Sequence, residues 1–424
     1  MLKFSILLNS STTMLIMIIS FVFKIYLARE FPKESLIIYY TIIDVFSLIS
    51  RFFVGYKDAL TTLYNQKKEK FKVMKLFSVF LLWIVVIIAF VVLPVVTNFY
   101  LPQKIDGFDF SWYYISLLFI STNAVAYYSY IFLVTKHYKL ISVQDILRTI
   151  FWVLSIVVLY KIFNLNADYK TLIYASILSN FIILLFLIYK QNKYLPQYSF
   201  IRLFGFKLPQ FGDDTNKRFI KLTMLASSNY FIYGLLLFAP VYVMLSSGDV
   251  KELGDFQVVA RSIYFALVSV FSWPLGRFMF PEFSSLIAEK KFTQLSTVRN
   301  KFIKLLVLFG FVIVVSCWLL SELVIGYIFP LEYLESYKMI NILIVALPFV
   351  MYQNFSESVI KAVGGYKINL IIKLSGILFF IITYLILDYL NIELASIYAF
   401  VFGMFGIFLL SLYFEIKIKR GWTS

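Results

Sequence analysis

The chain is poor in the residue types that build reactive centres. It holds one cysteine, Cys317, and one histidine, His137, among 424 residues. A single thiol excludes an intramolecular disulfide and any cysteine-based metal site, and a single imidazole excludes histidine clusters. No G-x-x-x-x-G-K-[ST] segment occurs, so direct use of ATP has no support. Acids suited to a paired-carboxylate centre are few: Glu30, Glu34, Asp106 and Asp109 are the early candidates, all in short loops. A membrane glycosyltransferase or polysaccharide polymerase needs a sizeable outer loop or such a pair, so no catalytic residue is expected. Charged residues make up only 15% of the chain.

Apolar residues take their place, at 61% of the chain with 20% aromatic, against roughly 45–50% apolar in a soluble domain. They come in runs of about 20 residues, the length of a helix crossing a hydrocarbon core of about 30 Å, and not in the short alternating segments of a membrane barrel. Twelve spans are expected: 4–28, 35–56, 73–99, 112–134, 140–163, 171–190, 219–246, 254–281, 303–329, 336–358, 367–388 and 393–416. The first run is too long for a signal-peptide core, contains Lys24 and lacks a small-x-small cleavage site. The net charge of +16 has no soluble domain on which to form a basic nucleic-acid face. Most of it lies in alternate loops. Those after the even-numbered spans and the C-terminal tail hold 26 basic residues against seven in the others, with Lys67, Lys68, Lys70, Lys290, Lys291 and Arg420 among the 26. By the positive-inside rule both termini are expected to be cytoplasmic. The outer loops are short and partly acidic, with Asp249, Glu252 and Asp255 after span 7 and Glu332 and Glu335 after span 9.

At an offset of 223 residues, LTTLYNQKK from Leu60 overlies FSSLIAEKK from Phe283, each closing a span and opening a basic loop. Six spans per half give halves of parallel topology about an axis along the membrane normal. The expected organisation is an N-terminal lobe 1–200, a cytoplasmic linker 201–218 and a C-terminal lobe 219–424. The sequence YSFIRLFGFKLPQF at the linker reads either as a segment resting on the inner surface or as a loop with interfacial aromatics.

Function is expected where charge enters the spans, since a charge at bilayer depth costs at least ~2.5 kcal/mol and usually faces a bundle interior or a substrate path. In span 2, Thr41, Asp44, Ser47, Arg51, Gly55, Asp58 and Thr62 fall at steps of three or four and form one polar stripe. Asp44 lies about 13 Å from the outer end and Arg51 about 9 Å from the inner end, two turns apart on one face. In span 1, Asn9, Thr13, Met17, Ser20 and Lys24 make a second stripe ending in a cation that could equally snorkel outward. Span 8 carries Arg261 in its outer third and Arg277 near its inner end. Pro274 beside Gly276 should bend that helix and is a candidate hinge; Pro240 and Pro348 raise the same question. Asp145 with Arg148, and Glu357 with Lys361, have the spacing of local pairs, read as interfacial ion pairs. Glu322 is near enough to the outer end of span 9 to reach the interface. Tyr230, Tyr233 and Tyr242 are placed to contact sugar rings. The intramembrane charge is mostly cationic, Lys24, Arg51 and Arg261 against Asp44. That suits an anionic guest, and a pyrophosphate fits the bidentate geometry of arginine.

Four segments, YLAREFPKES, GDFQVVARSIYFALVSVF followed by LGRFMFPEFSSL, VIGYIFPLEYLESYKMINIL and SVIKAVGGYKINLIIKLSGIL, resemble the multidrug/oligosaccharidyl-lipid/polysaccharide (MOP) exporter superfamily, and within it the Wzx-type polysaccharide or O-antigen flippases. The resemblance implies an all-α polytopic membrane protein of two six-helix lobes, working by alternating access on an undecaprenyl-pyrophosphate-linked oligosaccharide in a bacterial inner membrane. It implies no cofactor beyond a Na⁺ or H⁺ gradient, for which Asp44 is the candidate coupling acid. Partners would be the polymerase and glycosyltransferases of the same pathway. Drug antiporters of the superfamily commonly place acids in spans 1 or 7, where this chain has Lys24 and an acid-free core. Lipid II flippases typically have fourteen spans. The loop GYKDALTTLYNQKKEK lacks the GxxxDRxGRR signature of major-facilitator transporters.

Overall fold

The computed structural model describes the chain except residues 1, 67–69, 101, 103–108, 110, 204–213, 270–285, 287–290, 364 and 424, and some further side chains, those of residues 2–11 and 13 among them. Among the described residues twelve long helices follow the apolar runs. They are α1 Leu2–Glu30, α2 Lys33–Gln66, α3 Lys70–Phe99, α4 Trp112–Val134, α5 Tyr138–Ile162, α6 Tyr169–Tyr194, α7 Asp214–Ser247, α8 over 250–269, α9 Phe292–Ile328, α10 Ser336–Lys361, α11 Tyr366–Tyr389 and α12 Ala395–Thr423. Among the described residues α2 to α7 and α9 to α12 are each long and apolar enough to cross a membrane. The chain is an all-helical, multi-pass membrane protein.

Helix ends follow local chemistry. Asp168 caps α6 by accepting from the Thr171 backbone N–H at 2.9 Å, and Asp249 caps α8 through Glu252 N–H at 2.9 Å. Two helices outrun their expected spans: α2 continues ten residues past 56 to Gln66, and α9 begins at Phe292, eleven before 303. Hydropathy falls where the chain leaves the membrane, but a helix needs only one apolar stripe to continue. Ala59, Leu60 and Leu63 supply it on α2, Leu295 on α9, all buried. Short π-helical stretches interrupt α3 at Ile88–Val92 and Val96–Tyr100, α5 at Val158–Ile162 and α8 at Asp255–Ala260. Pro94 lies between the first two, where its missing N–H relieves the α ladder. Pro348 stands in the first turn of the helical segment Leu347–Ala362, after a 3-10 turn at Ile344–Ala346, so its missing donor falls where none is needed. Pro240 lies inside the continuous α7.

The chain divides into two compact units, Met1–Phe23 with Glu30–Tyr230, and Lys24–Arg29 with Phe231–Ser424. In the first, Phe46 and Phe53 of α2 flank Phe119 of α4 with ring centroids 5.5 and 6.0 Å away. Ile42 and Phe53 are thus packed between helices. Polar side chains tie neighbours together: Asn180 Nδ2 donates to Thr122 Oγ1 at 3.0 Å, Trp152 Nε1 to Ser176 Oγ at 3.0 Å, and Ser78 and Tyr127 pair at 2.9 Å. Such bonds contribute about 0.6 kcal/mol each in a membrane protein. Beyond α6, Tyr198 pairs with Tyr64 at 3.0 Å and stacks on Phe71, and Leu203 is buried, so the start of the polar segment is packed onto α2 and α3. The rest of it, 204–213, lies outside the described residues, as do nearly all of the second repeat segment and Lys67, Lys68 and Lys290.

In the second unit, α11 and α12 approach backbone to backbone. A methyl on Gly403 would stand 2.9 Å from the Gly376 carbonyl oxygen, the small-residue contact by which helices associate where lipid supplies no hydrophobic drive. Gly310 of α9 likewise makes room for Pro348 of α10, whose Cγ would be 3.0 Å from an added Cβ.

Candidate functional site

Along α2 the polar stripe is divided. Thr41 is buried and Asp44 is 7% exposed. Ser47 is exposed and Arg51 half-buried, and the stripe then closes against α7. A Cβ on Gly55 would fall 2.4 Å from the Ser227 backbone nitrogen, and Tyr230 Oη donates to Asp58 Oδ2 at 2.9 Å. Gly55 and Asp58 therefore serve helix packing. Tyr230, expected to face sugar, spends its hydroxyl on Asp58.

In the second unit the Asp255–Ala260 π-turn sets the register of α8 just before Arg261. A π-turn inserts one residue into the helical repeat and rotates every side chain that follows, and such turns gather at functional sites. Ser262 Oγ donates back to the Gln257 carbonyl, five residues earlier, at 3.2 Å. Its lone pairs then face outward and accept from Lys24 Nζ at 2.7 Å. Two of the expected cations, Lys24 and Arg261, are thereby brought to neighbouring positions. The Arg261 guanidinium lies 5.3 Å from the centroid of Phe265, one turn on, a cation–π contact that orients its planar fork. Lys24 is half-buried and tied into the protein, not snorkelling freely.

Asp255 requires a correction. Expected in an outer loop, it is 2% exposed within α8. The Asp249 cap starts the helix early, so Asp255 falls in its second turn. Arg277, Pro274 and Gly276 lie outside the described residues, as do Asp106 and the side chains of Asn9 and Thr13.

Two buried charge networks escape a reading by local spacing. Glu357 Oε1 meets Lys361 Nζ at 2.7 Å, but also Lys373 Nζ of α11 at 3.1 Å. Asn369 Nδ2 donates to the same oxygen at 3.1 Å, and Gln353 Nε2 to Oε2 at 3.2 Å. Lys373 is 1% exposed, with its ammonium 5.3 Å from the centroid of the Tyr233 ring. The pair expected at an interface is thus one arm of a buried three-charge cluster. In the second network the buried Glu415 of α12 takes Arg299 Nε of α9 and accepts from Tyr352 Oη of α10 at 2.6 Å. The signal for each was a polar residue one turn before the charge in an apolar run, Asn369 before Lys373 and Ser411 before Glu415.

The arrangement sets an ammonium, Lys24, and a forked guanidinium, Arg261, at neighbouring positions along α8. Comparison with solved structures supplies the fold. A multidrug resistance MATE family transporter of the MOP superfamily in an inward-facing conformation matches with a TM-score of 0.74 at 12% identity, covering 99% of each chain. An outward-facing conformation of such a transporter gives 0.74 at 14%, covering 99% of this chain and 96% of that one. A MOP superfamily transporter from Pyrococcus furiosus, described by a reverse polarity of its binding pocket that suggests a different function, gives 0.68 at 14%, with 99% and 96% covered. No family model matches the sequence, and no curated protein matches it. The fold is that of the MATE transporters.

Proposed function

We propose that the protein is a flippase that moves an undecaprenyl-pyrophosphate-linked oligosaccharide, such as an O-antigen or capsule repeat unit, from the inner to the outer leaflet of a bacterial inner membrane by alternating access. The observation that carries the reading is the Lys24–Ser262 bond, which holds an ammonium one residue from Arg261. A pyrophosphate suits that pair: its oxygens match the guanidinium fork, and in a low-dielectric site the attraction is stronger than in water. The pocket of reversed polarity in the Pyrococcus furiosus transporter supports the idea that this fold accepts such an inversion.

In this mechanism Arg51 and Arg261 capture the pyrophosphate, Lys24 completes the clamp, Arg277 receives the charge near the inner surface, and the lipid chain stays in the bilayer. Rocking of the two lobes, with Pro274 and Gly276 as hinge, exposes the glycan outside. Asp44 is the coupling acid if a Na⁺ or H⁺ gradient drives the cycle, since a driving ion must bind the two states differently. Both termini are cytoplasmic, no bond is made or broken, and the pathway's polymerase and glycosyltransferases are the expected neighbours.

A second reading, cation-coupled drug antiport, is favoured by the names of the multidrug transporters that share the fold and by the buried Asp44. Deleting the gene and measuring lipid-linked oligosaccharides together with surface glycan separates the two. Complete lipid-linked units accumulating while surface glycan disappears support the flippase. Shortened lipid-linked units point to an enzyme, and unchanged glycan with altered drug sensitivity points to the antiporter. Arg51→Ala and Arg261→Ala should each abolish export at undiminished membrane abundance; normal export by both variants overturns the clamp.

A further inference from the structure

Helix α5 of the first unit has a protein-facing side that is not fully closed. At about 100° per residue, the exposed Val143, Ile150 and Leu154 share one face, and the buried Ile141, Gln144, Ser155 and Ile156 share the opposite one. Arg148 stands in the middle of the buried face, yet it is only half-buried. The unit therefore leaves open space in front of its guanidinium.

This arginine is not the interfacial half of a local pair. It lies about 15 Å, at 1.5 Å per residue, into a helix that is long and apolar enough to cross a membrane. There a charge has to be met by protein, water or a guest. Asp145 and Tyr39 of α2 act on its charge, but among the described residues none accepts a hydrogen bond from it.

The donors around it are committed to one another. Ser176 Oγ of α6 donates to the Leu172 carbonyl oxygen at 2.8 Å and accepts from Trp152 Nε1 at 3.0 Å. With its one proton spent, it must also accept from Tyr39 Oη, 3.0 Å away. These bonds pin Trp152, which lies one turn beyond Arg148 on the same face and is likewise half-buried. Phe23 meets its ring edge-on with centroids 5.2 Å apart. A planar fork with uncommitted N–H donors thus lies beside a fixed aromatic ring.

We propose that Arg148 and Trp152 form a subsite for an acidic sugar of the glycan, with the sugar ring packed on the indole and its carboxylate held by the guanidinium. The inference rests on the flippase reading for the claim that this sugar is cargo. The C–H face of a sugar ring is apolar and packs on an aromatic plane, and a planar carboxylate takes two parallel N–H···O bonds from arginine. Asp145 offsets part of the charge, so recognition depends on the short-range fork and not on long-range attraction. A carboxylate satisfies donors that a neutral sugar leaves unserved, and that difference gives the discrimination.

Saturation-transfer difference NMR on the full chain in phosphatidylcholine nanodiscs tests this, with digalacturonate as probe and the neutral galactose dimer as control. The ring protons of digalacturonate should receive several-fold more saturation than those of the neutral dimer. That excess should vanish in Arg148→Gln, and Trp152→Leu should weaken both signals. If the glutamine variant does not reach the membrane, Arg148→Lys decides: the acid-over-neutral ratio falls if the fork holds the carboxylate, and an unchanged ratio overturns the subsite. Equal signals from the two sugars in the wild type overturn it too. Displacement of digalacturonate by equimolar inorganic pyrophosphate assigns Arg148 to the lipid head group and overturns the sugar reading. Gene deletion separates the two claims. Surface glycan lost on deletion, with no preference for the acid in nanodiscs, removes the subsite and leaves the flippase. Glycan indifferent to deletion, with the Arg148-dependent preference intact, removes the flippase and leaves a site for acidic sugars.

Discussion

Gly55 of α2 faces Ser227 of α7 so closely that a methyl group at Gly55 would stand 2.1 Å from Ser227 Oγ and 2.7 Å from its Cα. The obstacle is backbone, which no rotamer change can move aside. Gly55→Ala should therefore destabilise the first unit by about 1–3 kcal/mol, the usual cost of overpacking. A clear drop in the melting temperature of detergent-solubilised protein is expected; an unchanged value means that α7 can shift freely along α2.

Glu357 balances two lysines, of which Lys373 is the more deeply buried. Removing one partner of a buried pair typically costs about 3–5 kcal/mol, whereas apolar replacement of both partners is often neutral. Glu357→Gln should lower both melting temperature and membrane abundance, and Glu357→Leu with Lys373→Met should recover much of the loss. A double variant no better than Glu357→Gln alone contradicts this pairing, and points to an interaction of Glu357 outside it.

Ser262 positions the ammonium of Lys24. Ser262→Ala removes the acceptor while keeping the helix, so export should fall at normal abundance, with Lys24→Met falling further and Lys24→Arg retaining part. Arg261→Lys should be a poor substitute, since a point charge does not reproduce a planar fork. Quantified surface glycan per unit of membrane protein decides it: Ser262→Ala at full activity would make the bond a packing contact.

At the end of α1, Glu30 Oε2 accepts from Lys161 Nζ at 2.9 Å and from Tyr160 Oη at 3.2 Å. The Lys161 hydrogen bond, above all, holds the Glu30 carboxyl below its ordinary value of 4.5. A carboxyl lowered on folding stabilises the protein above its unfolded pKa, and the effect is lost as pH falls through the folded value. The pair is largely exposed, so the contribution is small. The melting difference between wild type and Glu30→Gln should be modest near neutrality and vanish on acidification below the carboxylate range. A difference that grows on acidification has the wrong sign for this linkage.

The all-helical class and ten of the twelve expected spans can be read from the sequence, because immersion in lipid demands about 20 apolar residues per crossing and that demand is written along the chain. So can the suspicion attached to Lys24, Asp44, Arg51 and Arg261, since a charge in such a run is too costly to face lipid and must turn toward protein, water or substrate. What hydropathy cannot hold is which helix faces which. The bond from Lys24 to Ser262 joins residues 238 apart. Neither it nor the contact of Gly55 with Ser227 leaves a periodic trace, since each depends on how separate helices pack. The same holds for Asp255, which looks like a loop acid until the cap at Asp249 draws it into a helix, and for Glu357, whose neighbour in sequence is Lys361 but whose buried partner, Lys373, comes from the next helix. Lipid exposure is a property of each segment alone and is visible in one dimension; the pairing of charges depends on distances between segments, and only the tertiary structure decides it.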